Sequence, residues 1–163
     1  MLVVVCGLPG VGKTTVAGMV ADRLGVEPLR TDVVREELFP EPTYTDEERR
    51  AVYEALFDRA RPRLDRGEDV VLDGTFAAAT HRDRARGLAA AAGVDHRLVR
   101  VTCEESVVRE RIAGRTGDAS DADFGVYRTF ERAFDPVTGE HATVDNSGGR
   151  DAVRRQVAAL LGS

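Results

Sequence analysis

The chain of 163 residues has little that would staple it together or carry it through a membrane. Cysteine occurs twice, as Cys6 and Cys103, in no metal-ligand spacing. That argues against a disulfide framework and predicts two reduced, buried thiols. No apolar run approaches the ~20 residues needed to span a bilayer. The short apolar run at the start has no charged segment before it, so a cytoplasmic protein is expected. Low-complexity tracts, repeats and linkers are missing as well, and the length suits one domain over 1–163 with a full core of its own. Positive charge is not in excess. The formal net charge of −5 argues against generic coating of nucleic acid, which needs clustered cations, while local arginine groups leave room for a narrow anionic site. Lysine is almost absent, and Lys13 is the only one.

That lysine stands in the most informative stretch, CGLPGVGKTT, directly after the aliphatic run Leu2 to Val5. A short continuous apolar run suits a parallel strand buried on both faces. Gly7, Gly12, Lys13 and Thr14 then match G-x-x-x-x-G-K-S/T, in which a glycine-rich loop turns its backbone N–H groups onto an anion. Lys13 to Leu24 follows with Val16, Met19, Val20 and Leu24 at helical spacing, so a helix N-terminus points its positive end at the same place. The cradle Gly7, Leu8, Pro9, Gly10, Val11, Gly12, Lys13, Thr14 and Thr15 is therefore read as the phosphate site of ATP. Lys13 would reach the β- and γ-phosphates, and the Thr14 hydroxyl would ligate Mg²⁺. A guanine-reading N-K-x-D motif needs a further lysine, which excludes a regulatory GTPase.

Strands are expected near Val3–Cys6, Pro28–Leu29, Val70–Leu72, Arg97–Val101 and His141–Val144. Between them lie helical patterns: Asp46 to Leu64 with a Thr45/Glu48 capping box and Pro62 kinking or shortening it, a helix capped by Thr80 and Asp83, Glu104 to Gly114, and one capped by Ser120 and Asp123. Alternating strands and helices give an α/β fold, a parallel sheet covered on both faces, with ligands collecting at the carboxyl ends of the strands. The residues just after each strand are thus the candidates. Asp32 and Arg35 follow the second strand; they suit a general base and an acceptor-binding guanidinium, or a helix cap with its i,i+3 ion pair. Asp73 ends the third strand, as a Mg²⁺ ligand or as a turn residue before Gly74. Arg82, Arg84 and Arg86 read mostly as a solvated helix face, with one free to enter the substrate groove. Arg111 and Arg115 share a helix face, as a lid over triphosphate or as partners of Glu104, Glu105 and Glu110. VDNSGG, from Asn146 to Gly149, offers backbone that could approach a nucleobase.

Taken in order, GLPGVGKTT, TDVVR, VVLDGTF, RERIAGR and VDNSGG resemble the small P-loop kinases, and look most like the kinase domain of phage-type polynucleotide 5′-kinases. The resemblance implies a three-layer P-loop NTPase fold with five parallel strands ordered 2-3-1-4-5 and a small helical lid at about 111–135. It implies ATP and Mg²⁺ as cofactors, Asp32 as general base, Arg35 on the acceptor, Arg111 and Arg115 as lid arginines, and Arg115 with Asn146 near the adenine. The expected activity is transfer of the γ-phosphate to a hydroxyl, first a polynucleotide 5′-hydroxyl. The alternatives are a sugar, nucleoside or antibiotic acceptor, or an ATP-binding module with no acceptor of its own. On the implied strand order Cys6 and Cys103 are expected close together.

Overall fold

In a computed structural model the chain is described over residues 1–116 and 120–162, without the side chains of residues 115, 116 and 120–123. Five strands, β1 (Leu2–Cys6), β2 (Leu29–Arg30), β3 (Val70–Asp73), β4 (His96–Thr102) and β5 (Ala142–Asp145), form one sheet in the order β2-β3-β1-β4-β5. Every pairing is parallel. This is the strand order that the resemblance implies. β1 is central, and all five of its residues are buried. Its side chains alternate between two cores, as a period of two demands. Leu2, Val4 and Cys6 face one core with Leu72, Leu98 and residues of α3 (Asp46–Asp65) and α4 (Ala79–Ala92). Val3 and Val5 face the other with Val71, Val99, Val101 and residues of α1 (Lys13–Leu24), α5 (Glu105–Thr116), α6 (Ser120–Ala133) and α7 (Arg150–Leu161). The short α2 (Thr31–Leu38) follows β2 without a break.

Several local expectations change. α7 is additional to the elements expected from the sequence, although Val153 and Val157, both buried, carry the helical spacing. Helix α3 is not shortened by Pro62, which sits inside it. The ring removes one backbone donor, and with three residues left in the helix the loss falls in its final turn. The Thr80/Asp83 cap does not form. α4 starts at Ala79, and the carboxylate that meets its first N–H is Asp135, just beyond the end of α6, at 2.8 Å. Ser120 and Asp123, expected to cap α6, lie outside the described side chains.

Arg82 is corrected too. Rather than a solvated or groove-facing cation, it is buried, donating to the carbonyls of Asp135 at 2.9 Å and Pro136 at 3.4 Å, with its guanidinium over the Phe134 ring. It ties residues 134–136 to α4. Arg82→Ala is expected to cost about 1.5–3 kcal/mol, the usual range for hydrogen bonds from a charged group; urea unfolding would show it, and an unchanged midpoint would refute the tie. Arg84 pairs with Glu54 and Arg86 with Asp83.

The cysteines are neighbours in strand order but belong to different cores. Cys6 lies opposite Arg100 in the register, while Cys103 continues the Val99, Val101 alternation and packs on the opposite side of the sheet. Both are free thiols. Burial pushes the Cys6 thiol up to about 11, so it stays protonated and inert at neutral pH. Among the described residues no helix is long and apolar enough to cross a membrane.

Candidate active site

The loop between β1 and α1 is held from three sides. Gly7 donates its N–H to the Thr75 carbonyl at 3.2 Å, and a Cβ at position 7 would come 2.7 Å from the Val101 carbonyl oxygen. Only glycine lets the chain leave β1 that closely. Gly12 takes φ 86 and caps α1, and a Cβ there would stand 2.1 Å from Nδ2 of Asn146. That nitrogen is already committed, donating to the Val11 carbonyl at 2.8 Å. Asn146 is buried. The structure therefore places its amide under the loop as a brace. Gly12→Ala is expected to lose about 1–2 kcal/mol of stability from the left-handed backbone alone, before the displaced Asn146 is counted. Thermal melting checks this, and a wild-type midpoint would mean that the loop adapts freely.

Above the loop lies a hollow of about 510 Å³ lined by Pro9, Gly10, Gly12, Lys13, Thr14, Thr15 and Arg111. Lys13 is partly buried at its floor. Desolvation lowers its pKa from the usual 10.5, and the carboxylates of Asp73 and Asp32 oppose that shift. Asp73, at the tip of β3, is buried, and Thr14 Oγ1 donates to its Oδ2 at 3.0 Å. Burial raises its pKa above the usual carboxylate value, against the pull of Lys13, Thr14 and Arg30. One hydroxyl and one carboxylate meeting beside a phosphate loop are hard oxygen donors. They fit Mg²⁺, which takes one or two carboxylates and completes its shell with waters and phosphate oxygens. The fold thus brings Lys13, Thr14 and Asp73, each singled out in the sequence, to one place.

Asp32 follows β2 at the start of α2, and its side chain is 65% exposed. Its Oδ1 accepts from the Val33 N–H at 2.9 Å, and its Oδ2 from Arg30 at 2.9 Å. Arg30, which sequence reasoning missed, also places its Nε 3.6 Å from Asp73, so one guanidinium spans both carboxylates. That nitrogen is buried without a hydrogen bond. The only sequence signal was its position at the end of a strand, two residues before Asp32.

Arg35 does not pair with Asp32. Its Nε lies 3.4 Å from Glu48, whose buried carboxylate accepts from the backbone N–H groups of Thr43 and Tyr44, both at 2.9 Å. Half of the expected capping box forms, with the Thr45 hydroxyl accepting from the Glu48 N–H at 3.1 Å. The Glu48 carboxylate reaches beyond the cap into the preceding loop, which spacing alone did not show. Arg111 is on the rim of the hollow, donating to the Asn146 carbonyl at 2.7 Å and to Cys103 Sγ at 3.5 Å. It pairs with no carboxylate among the described residues. The side chain of Arg115 lies outside those residues.

A five-stranded parallel sheet in this order, with its phosphate loop after the central strand and an acid at the tip of its neighbour, defines a P-loop NTPase fold of the kinase-like kind. Residues 2–137 match the sequence model described as an AAA domain, and the chain belongs to that family. Among solved structures it is similar to a gluconokinase from Sinorhizobium meliloti 1021, at 25% identity and a TM-score of 0.76, covering 98% of this chain and 90% of the other. It is also similar in fold to the Mycobacterium tuberculosis APS kinase in complex with AMPPNP and APS, at 22% identity and a TM-score of 0.72, covering 99% and 97%. An uncharacterized protein of Mycobacterium tuberculosis is 33% identical over 165 residues, 92% of this chain. The chain spans 32% of the length of that curated relative.

Proposed function

We propose that the protein is a Mg²⁺-dependent phosphotransferase that moves the γ-phosphate of ATP to a hydroxyl acceptor. The observation that carries this reading is the meeting of Lys13, Thr14 and Asp73 beside the phosphate loop, with the Asp32 carboxylate close enough to oppose the lowering of the Lys13 pKa. In this reading the N–H groups of the loop that follows Gly7 and the α1 N-terminus hold the phosphates, and Lys13 neutralises charge on the transferring group. Thr14 and Asp73 would hold Mg²⁺, which would offset the charge of the phosphates. The acceptor oxygen attacks the γ-phosphorus as the bond to ADP breaks, and its proton passes to Asp32. For that Asp32 must leave Arg30, which keeps a partner in Asp73. The lid, about residues 111–135, would close over the triphosphate with Arg111 and Arg115 as its arginines, while Asn146 braces the phosphate loop.

The acceptor is read as a compact alcohol rather than a long strand. An extended phosphate track along Arg82, Arg84 and Arg86 loses its support, since the first is buried against residues 134–136 and the others hold Glu54 and Asp83. Transfer from labelled ATP is to be measured against 5′-hydroxyl oligonucleotides, nucleotides, nucleosides, sugar acids and aminoglycosides. Phosphorylation of any alcohol that disappears with Lys13 supports the reading. Tight Mg-ATP binding with no transfer to any alcohol would instead favour an ATP-binding module.

A further inference from the structure

The loop between α2 and α3 holds a construction that phosphoryl transfer leaves unused. Tyr44 has φ 55, in the left-handed region, where a bulky side chain is a genuine outlier. It is also 63% exposed, so core packing does not compensate for the strain. What holds it is the buried Glu48 carboxylate, which takes the N–H groups of Thr43 and Tyr44 and has Arg35 at its side. The Arg35 guanidinium in turn lies over the Tyr44 ring, 5.3 Å from its centre. Strain that the surroundings over-determine in this way clusters at ligand sites. The exposed large hydrophobic residues point to the same segment. Among the described residues these are Val33, Leu38, Tyr44 and Val126, and the first three fall within 33–44, beginning next to Asp32. Two surfaces are left open: one face of the Tyr44 ring, and the terminal nitrogens of Arg35, which make no hydrogen bond among the described residues.

We infer that Tyr44 is the stacking platform of the acceptor subsite, and that the acceptor is an alcohol carrying both a flat π-bearing ring and an anionic group. The inference rests on the phosphotransferase reading. The ring lies on the open face of Tyr44, which favours offset stacking, and the anion takes the planar fork of Arg35. Glu48 is a positioning residue: it fixes the loop and the guanidinium together and touches no substrate. A neutral, ring-free sugar uses neither surface. A free nucleotide and the 5′ end of a nucleic acid share the required chemistry.

The test is acceptor kinetics with labelled ATP and Mg²⁺ on wild type, Tyr44→Gly and Tyr44→Phe. The acceptors are adenosine 3′-monophosphate, a short 5′-hydroxyl oligonucleotide, adenosine and gluconate. Wild type is expected to prefer the two that have both ring and charge, and the better of these identifies the source. Tyr44→Gly should raise KM for that acceptor by about tenfold or more, with a smaller change in kcat, which is the loss of one stacked ring. Its melting temperature should equal or exceed wild type, because glycine adopts the left-handed conformation freely. Tyr44→Phe should keep the wild-type KM. Equal use of gluconate and the nucleotides overturns the inference, as does an unchanged KM in Tyr44→Gly, or a parallel fall of stability and of turnover on every acceptor. Transfer to none of the four, with Mg-ATP binding still dependent on Lys13, overturns it while leaving the nucleotide site standing. Mg-ATP affinity unchanged in Lys13→Ala would take the phosphotransferase reading down with it.

Discussion

Asp32→Asn is expected to slow phosphorylation of the acceptor by about 10²–10⁴-fold, or about 3–5 kcal/mol of transition-state stabilisation. Asparagine keeps the shape of the carboxylate but cannot take the acceptor proton. The loss should therefore fall on kcat, with Mg-ATP affinity nearly intact, since Asp32 is not among the residues lining the phosphate hollow. Stability should hardly change. The ion pair with Arg30 joins a guanidinium side chain that is 34% exposed to a carboxylate that is 65% exposed, and such pairs contribute about 0–1 kcal/mol. Single-turnover transfer, calorimetry and melting on one preparation separate the three quantities. Full acceptor turnover in the variant would sink the general-base assignment.

Lys13→Ala is expected to reduce transfer by about 10³-fold, the scale seen when one preorganised charge or donor is removed from a water-excluded site. Unlike the Asp32 change, it should also weaken Mg-ATP binding, because in the proposed reaction the ammonium would face the β- and γ-phosphates in ground and transition state alike. The same residue predicts a pH dependence. Burial lowers its pKa from 10.5 in the free protein, so the ammonium loses its proton at a lower pH than an ordinary lysine. Bound phosphate favours the charged form and raises the pKa again. Affinity for Mg-ATP should then fall as pH rises through the free-state value, starting below pH 10.5, and binding in that range should take up protons. Calorimetry in buffers of different ionisation enthalpy reads the uptake. Unchanged affinity in Lys13→Ala would remove the loop from the nucleotide site.

The parts of the molecule legible beforehand are those written in contiguous residues. β1 shows as an apolar run because a central parallel strand is buried on both faces, and the loop shows because its turn, close approach and lysine fall within eight residues. Thr45 was legible as the cap of α3, since a cap reaches only three residues along. Errors begin where a side chain has to choose between local and distant partners. Thr80 and Asp83 have cap spacing, yet Asp135, 56 residues from Ala79, meets the helix end. Arg82, Arg84 and Arg86 look alike in a string of letters, and only the packing of residues 134–136 on α4 buries one and leaves the others on carboxylates. Glu48 fits a capping box locally, and its carboxylate is drawn off to hold Thr43 and Tyr44.

What the sequence determined by itself is the alternation of strand and helix, the phosphate loop, and the positions of Asp32 and Asp73 behind their strands. These follow from periodicity and from glycine, which act over one or two turns. What only the tertiary structure decided is which of these groups meet: Thr14 with Asp73 across 59 residues, Asn146 with Val11 across 135, Arg30 between two carboxylates, and Arg35 with Glu48 and Tyr44. It also decided that Cys6 and Cys103 face opposite cores, because a one-residue step along a strand reverses the face and the register is set by pairing with the neighbouring strand. Hydrogen bonds and ion pairs act over a few ångströms of space, and a chain records distance only along itself.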